Sequence, residues 1–256
     1  MAGFSVVMPS GGDLPQQLSM GGAGLDALAP HADFFVKQTR KGCVQEMMGC
    51  EAKTEFKIAT MGNQQADVLY ALEESSFLQR FLISPIREWN MNVTQGGAPG
   101  GPMIAQFFRP LRCGIGPMKC CCYQEVMHKD ALGVPIGSTT EGQYCFVPKF
   151  TITDAQGNPE YLLSQPTCVG GACVDIFAEG LCNCRVPFYV FPLTAEAVKG
   201  QEVGRIVKVW AGLGTELFSD ADKFELVFPA GAKPDTKARL LGSLFLLNQL
   251  FFETKG

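Results

Sequence analysis

An all-β fold closed around a single helix is what this sequence predicts, on three observations. From residue 31 onward the chain is a series of short segments rich in β-branched and aromatic residues, separated by Gly, Asn and Pro turns. That pattern reads as a sandwich or barrel. The last apolar run, Leu240 to Phe252, places nine large hydrophobes in thirteen residues and leaves no wide polar face, so it must be buried. No other stretch offers it a partner helix. At about 1.5 Å per residue the run reaches roughly 20 Å, short of the about 30 Å of hydrocarbon a spanning helix must cross. Asn248 and Gln249 would also find few partners in lipid. The reading is a soluble fold wrapped around this helix, with Leu240, Leu244, Leu247 and Phe251 as core positions; a bilayer segment is the rival. Closure removes the sheet edges, and the helix fills a lumen too wide for side chains alone.

Taken in order, residues 1–30 are rich in Gly, Ala, Pro, Met and Ser and read as a mobile tail, with one short helical turn around Leu25 to Leu28. Residues 31–256 form one domain. Strands are expected at 33–38, 55–59 (where Glu55-Phe-Lys-Ile-Ala59 alternates polar and apolar), 67–71, 89–93, 103–108, 123–127, 143–152, 160–163, 184–191, 204–210 and 224–228. A brief helix is expected at 75–81. Gly62-Asn63, Gly96-Gly97, Gly100-Gly101, Gly133, Gly137, Gln156-Gly157-Asn158-Pro159, Gly170-Gly171 and Gly200 supply the turns. No internal repeat and no domain-splitting linker is visible after residue 30.

The composition narrows the function. A net charge of -4 with scattered basic residues gives no footprint for nucleic acid. The first thirty residues lack the basic and apolar regions of a secretory signal. Eleven cysteines, an odd count without such a signal, point to a reduced intracellular setting. The two histidines, His31 and His128, lie in no metal-spaced pair, and Glu73-Glu74 reads as a solvated turn. No catalytic machinery is assigned.

Three constellations remain. Cys120-Cys121-Cys122, preceded by Cys113 and Lys119, is a run whose neighbours point to opposite faces in a strand, so all three do not suit one tetrahedral metal. Such thiols are either S-acylation targets, where two chains give stable membrane attachment, or small buried hydrophobes. Cys168, Cys173, Cys182 and Cys184 lack the spacing of a zinc ribbon and read as packed thiols flanking a hairpin. Asp220 and Asp222 begin like a calcium loop. Phe224, Glu225 and Gly231 then depart from the EF-hand pattern, so any Ca2+ should bind in the roughly 0.1–1 mM class. On chemistry alone the segment is an Asp-capped turn feeding a strand.

Six blocks carry a resemblance. They are Arg109-Pro-Leu-Arg-Cys113 with the cysteine triplet and Gln124-Glu125, Gly133-Val-Pro-Ile-Gly137, Pro148-Lys-Phe-Thr-Ile152, the 203–212 segment Val-Gly-Arg-Ile-Val-Lys-Val-Trp-Ala-Gly, Phe218-Ser-Asp-Ala-Asp-Lys-Phe224, and the terminal helix closing on Phe251-Phe-Glu253. In this order they resemble the phospholipid scramblase family, closely over 105–253 and more loosely over 31–104. The resemblance implies the tubby-like fold, a closed antiparallel barrel of about twelve strands around a hydrophobic C-terminal helix. It implies a membrane-associated protein that moves phospholipids between leaflets in both directions, without ATP and linked to Ca2+. It implies covalent palmitate at Cys120, Cys121 and Cys122, with Cys113 an outlying match. Asp220, Asp222, Phe224 and Phe228 match the family's calcium segment, whose closing acidic position falls here on Gly231. The expected partner is a phospholipid membrane, at the plasma membrane or an organelle such as the mitochondrion. SH3, WW and nuclear-import partners are not expected, since the tail has no PxxP or PPxY and only Arg205 and Lys208 are basic in 204–212. The reading from another class is a lipid-anchored adaptor on the same barrel, with no transport of its own.

Overall fold

A computed structural model describes residues 22–39, 54–74, 87–112, 121–145, 147–165, 186–193, 201–209 and 222–252. The brief helix expected at 75–81 and the Cys168 to Cys184 group lie outside them.

Twelve strands follow one another around a closed, wholly antiparallel barrel. They are β1 (Asp33–Thr39), β2 (Glu55–Thr60), β3 (Asn63–Glu74), β4 (Trp89–Gln95), β5 (Met103–Arg109), β6 (Glu125–Asp130), β7 (Pro135–Glu141), β8 (Lys149–Thr153), β9 (Pro159–Ser164), β10 (Val186–Pro192), β11 (Gly204–Val209) and β12 (Lys223–Val227). β1 closes the ring, pairing β2 on one side and β12 on the other, with Val36 opposite both Ile58 and Phe224. The two-residue period sets every second side chain into the lumen: Phe34, Val36 and Gln38, then Phe56 and Ile58, and so on to Phe224 and Leu226, all buried.

Three strands depart clearly from expectation. β3 begins at Asn63, because the hairpin turn needs only Met61 and Gly62. No strand is expected at β7: it starts at Pro135, contains Gly137 and has one large apolar residue, Ile136, so no alternation shows. The strand expected at 143–152 is confined to its second half, since β7 already ends at Glu141.

The lumen holds α2 (Pro234–Leu247), continued by a π-turn over Asn248–Phe252. Pro234 opens the helix at its first turn, where its missing N–H costs nothing. Every residue from Thr236 to Gln249 is buried. A helix about 10–12 Å across fills a space that side chains alone fill only in a barrel of about eight strands. Phe245 meets Phe56 at 4.8 Å and Phe107 at 5.9 Å between ring centroids. Phe251 and Phe252 meet Phe150, Phe188 and Phe224 from other walls. At Gly242 a Cβ would lie 2.4 Å from His128 Nδ1, so only glycine lets β6 and the helix approach this closely.

Helix polarity, the argument against lipid, is absorbed by the wall. Ser243 Oγ lies 2.7 Å from Thr139 Oγ1, which lies 2.9 Å from His128 Nε2. Arg239 donates to Ile136 O at 2.7 Å and to Asp235 and Thr236, and pairs with Glu160. Asn248 donates to Gln38 Oε1 at 3.4 Å, and Trp89 Nε1 donates to Gln249.

The folded body also starts earlier than residue 31. The short turns α1 (Gly22–Leu25) and 26–28 dock on the barrel, burying Leu25 and Leu28. A Cβ on Gly24 would stand 2.8 Å from Ala131 Cβ. Lys237 directs its three ammonium protons to Leu28 O, Ala29 O and His31 O at 3.2, 2.7 and 2.7 Å. A lysine on a buried helix anchors this segment, which no composition argument about the tail could show.

The up-and-down order gives the barrel two unlike rims. At one, strands are joined by the short stretches 61–62, 96–102, 131–134, 154–158 and 193–203; at the other by 40–54, 75–88, 110–124, 142–148, 165–185 and 210–222. The first is called the turn rim and the second the loop rim. The π-turn of the helix ends at the loop rim. The turn rim reuses one six-residue device, Asp-Ala-x-Gly-x-Pro, at 130–135 and 154–159. Asp130 Oδ1 accepts from the N–H of Leu132 and Val134, both at 2.9 Å. Asp154 Oδ1 accepts from Gln156 and Asn158 at 2.9 and 2.8 Å. Gly133 and Gly157 supply φ of 82° and 83°. The hydrogen bonds from Asn158 are the largest cause holding the Asp154 carboxyl below its ordinary pKa.

Candidate functional site

The loop rim gathers the sequence features that the fold does not explain. Connection 110–124 contains Cys113 and Cys120–Cys122, 165–185 contains the second cysteine group, and 210–222 contains Asp220 and Asp222. Cys113, Cys120 and Asp220 lie outside the described residues. Cys121 is exposed and Cys122 half-buried. Cys122 has φ of 57°, a left-handed conformation that a non-glycine residue adopts at a cost. Cys145, which the sequence reading passed over, is exposed on the neighbouring 142–148 connection. The two connections are tied where they leave the barrel: Gln124 N–H donates to Glu141 Oε2, and Glu141 N–H donates to Gln124 O, both at 2.8 Å.

Inside this rim the lumen is polar. Arg87 reaches Glu73 with two bonds, Nε to Oε1 at 2.9 Å and Nη2 to Oε2 at 3.0 Å, both side chains almost fully buried. The Glu73-Glu74 pair is therefore no solvated turn: Glu74 is exposed, and Glu73 faces the lumen on the alternate side of β3. Arg109 donates to Arg87 O at 3.2 Å and to Gln124 Oε1. Lys208 pairs with Asp222 Oδ1 at 2.8 Å and sits 5.0 Å from the centre of the Phe252 ring. Buried charges persist only when paired in this way. None of these pairs was legible beforehand, because each is made by the pairing of neighbouring strands and not by a local spacing along the chain.

From Asp222 onward the calcium segment is extended and leads into β12. Phe224 is buried against Phe252 at 5.5 Å, and Phe228 against Phe34 at 5.3 Å. Asp222 stands at the loop rim and Phe228 at the turn rim, with β12 between them, paired to both neighbours. At about 3.3 Å per residue six residues separate them by roughly 20 Å, whereas oxygen ligands sit about 2.3–2.6 Å from a Ca2+ ion. Asp222 and Phe228 therefore cannot both reach one ion. Asp222 is already engaged by Lys208, and among the described residues no group of three His, Cys, Asp or Glu is placed to hold a metal. Among the described residues, Asp222, Phe224 and Phe228 do not converge on a position that suits the Ca2+ the resemblance implied.

His128 is sealed in the lumen; burial first, and Arg239 second, bring its pKa from 6.5 to about 3. It is a neutral packing residue bonded to Thr139. Leu240, Leu244 and Leu247 are fully buried on the lumen axis and Phe251 partly so, as expected of core positions. No helix of the described residues is long and apolar enough to cross a membrane, which says nothing about strands.

Comparison with known proteins agrees with the block resemblance. The Scramblase family model matches residues 14–254. Phospholipid scramblase 2 of Bos taurus is 30% identical over 217 residues, covering 83% of this chain and 66% of its own length. Phospholipid scramblase 1 of Homo sapiens is 29% identical over 236 residues, 91% of this chain and 67% of that one. Phospholipid scramblase family member 5 of Homo sapiens is 30% identical over 233 residues, 90% and 77%. The chain thus spans about two thirds of the length of the first two relatives. No solved structure matches it.

Proposed function

Because this chain belongs to the Scramblase family, we propose that it is a membrane-associated scramblase-like protein that moves phospholipids between leaflets in both directions without ATP. The family match over residues 14–254 carries the reading. An equilibrating activity needs no energy source, and no nucleotide-binding motif was found in the sequence.

A headgroup must cross about 30 Å of hydrocarbon. Extruding α2 would expose the apolar lumen and strand the polar groups of Arg239, Ser243, Asn248 and Gln249 that the wall now satisfies. The helix therefore stays inside, and the barrel acts from the membrane surface. Palmitate on Cys120, Cys121 and Cys122, with Cys113 beside them, holds the loop rim against the bilayer, and several copies loosen the packing of the leaflet beneath. Placement on an intracellular membrane, plasma or organellar, follows from the same reading.

A second reading is favoured by the same sealed helix: a lipid-anchored adaptor with no transport. Reconstitution separates them. Acylated, purified protein in vesicles with a fluorescent phospholipid in both leaflets should let an outside reductant bleach more than the outer half of the signal. Bleaching that stops at half retires transport and leaves the adaptor.

A further inference from the structure

Lys208 and Asp222 meet where four elements converge: the end of β11, the start of β12, β1 through the Gln38 N–H donating to Asp222 O at 2.8 Å, and the last turn of the core helix through Phe252. Both side chains are largely withdrawn from solvent, at 9% and 13% exposed. Lys208 projects into the lumen on the same parity as Ile206, and Asp222 on that of Phe224 and Leu226. A carboxylate that the resemblance marks for a metal is thus already paired with a cation from β11. We infer that the Lys208 ammonium is the resident counter-ion of Asp222, standing where Ca2+ would otherwise be required, so that the conformation of the loop rim at β12 is independent of Ca2+.

The chemistry favours the tethered cation. A Ca2+ ion seeks about 6–8 oxygens. Asp222 has Oδ1 occupied by the ammonium, and neither Phe224 nor Phe228 brings an oxygen from its side chain. A metal at the same carboxylate would sit beside a positive charge held in place by the sheet. The ammonium needs one carboxylate and one ring face, and it has both. Asp222 Oδ2 and Asn248 Oδ1 are buried without a hydrogen-bond partner among the described residues, two acceptors where Ca2+ would need several more. Neutralising Lys208 should therefore leave Asp222 unpaired without creating a Ca2+ site.

The test uses the full chain and thermal unfolding, so it is separate from any measurement of lipid movement. Wild type, Lys208→Gln, Lys208→Arg and Asp222→Asn are melted in EDTA, in about 1 mM CaCl2 and in the same concentration of MgCl2. Wild type and Lys208→Arg should keep one midpoint, within about 1 °C, in all three solutions. Lys208→Gln should melt lower than wild type in all three solutions and gain no more than about 1 °C from CaCl2. Asp222→Asn should melt lower and respond to neither ion. A wild-type midpoint that climbs about 2–4 °C with CaCl2 and loses that response in Asp222→Asn overturns the inference. So does a Lys208→Gln chain that melts like wild type in every solution. Should Lys208→Gln fail to fold, the wild-type, Lys208→Arg and Asp222→Asn curves decide the question alone.

Discussion

The two rims of the barrel use polar residues in opposite ways. At the turn rim, Asp130 and Asp154 fold their own hairpins, Lys237 binds three main-chain carbonyls, and Arg239 joins α2 to β7 and β9. Each of these groups has a structural task that accounts for it. At the loop rim the charges pair side chain to side chain across the lumen mouth, while long connections carry the cysteines and the acidic segment outward. The difference teaches where to look for function: at the end whose chemistry exceeds what the fold requires.

The contrast is broken or sharpened by substitution. The largest effect should come from Lys237→Met, which removes the lysine donor from Ala29 O and His31 O, leaves Leu28 O with only the His31 N–H, and frees residues 22–31 from the helix. A loss of about 3 kcal/mol in urea unfolding is expected, with faster amide exchange in 24–31. A loss near zero would place the stability of this rim elsewhere.

Acid should come next. The folded pKa of His128 lies at about 3 against an ordinary 6.5. The unfolded chain takes up the proton first, so this stability is complete above pH 6.5 and drains as pH falls from there toward 3. At about 1.4 kcal/mol per pH unit, roughly 2 kcal/mol should be gone at about pH 5. His128→Gln should flatten that slope in stability measured against pH; an unchanged slope would assign acid sensitivity to other groups.

Asp130→Ala removes two turn hydrogen bonds and should cost about 1–2 kcal/mol, leaving acylation untouched. The smallest stability effect belongs to the loop rim. Replacing Cys121 and Cys122 together by serine should shift unfolding by no more than about 0.5 kcal/mol, and with Cys113 and Cys120 also replaced, hydroxylamine-sensitive labelling with a palmitate analogue should fall to background. Retained labelling would move the modification to another thiol, with exposed Cys145 the first to be examined.

Much of this architecture is legible in the residues. Alternation at Glu55 to Ala59 and the apolar cylinder of Leu240 to Phe252 each state a local preference that the barrel honours. What escaped was non-local or weakly patterned. β7 hides behind Pro135 and Gly137, and is recognisable only when Thr139 meets Ser243 of the helix. Residues 24–31 have the composition of a tail, yet Leu28 is buried because Lys237, over two hundred positions later, holds its carbonyl. Glu73 looked solvated until Arg87 was placed across from it. At the candidate site, cysteines and carboxylates could be named one by one. That β12 would stretch the calcium segment from one rim to the other, and that Lys208 would already hold Asp222, depends on strand pairing that no single segment encodes.

The central claim is that α2 stays sheathed when the protein is on a membrane. Replacing Phe245 with a photoreactive azido-phenylalanine tests it directly, since Phe245 stacks between Phe56 of β2 and Phe107 of β5. Irradiated on vesicles, the label should join the helix to peptides from β2 or β5. Adducts with phospholipid acyl chains in their place would put the helix in the bilayer and contradict the account.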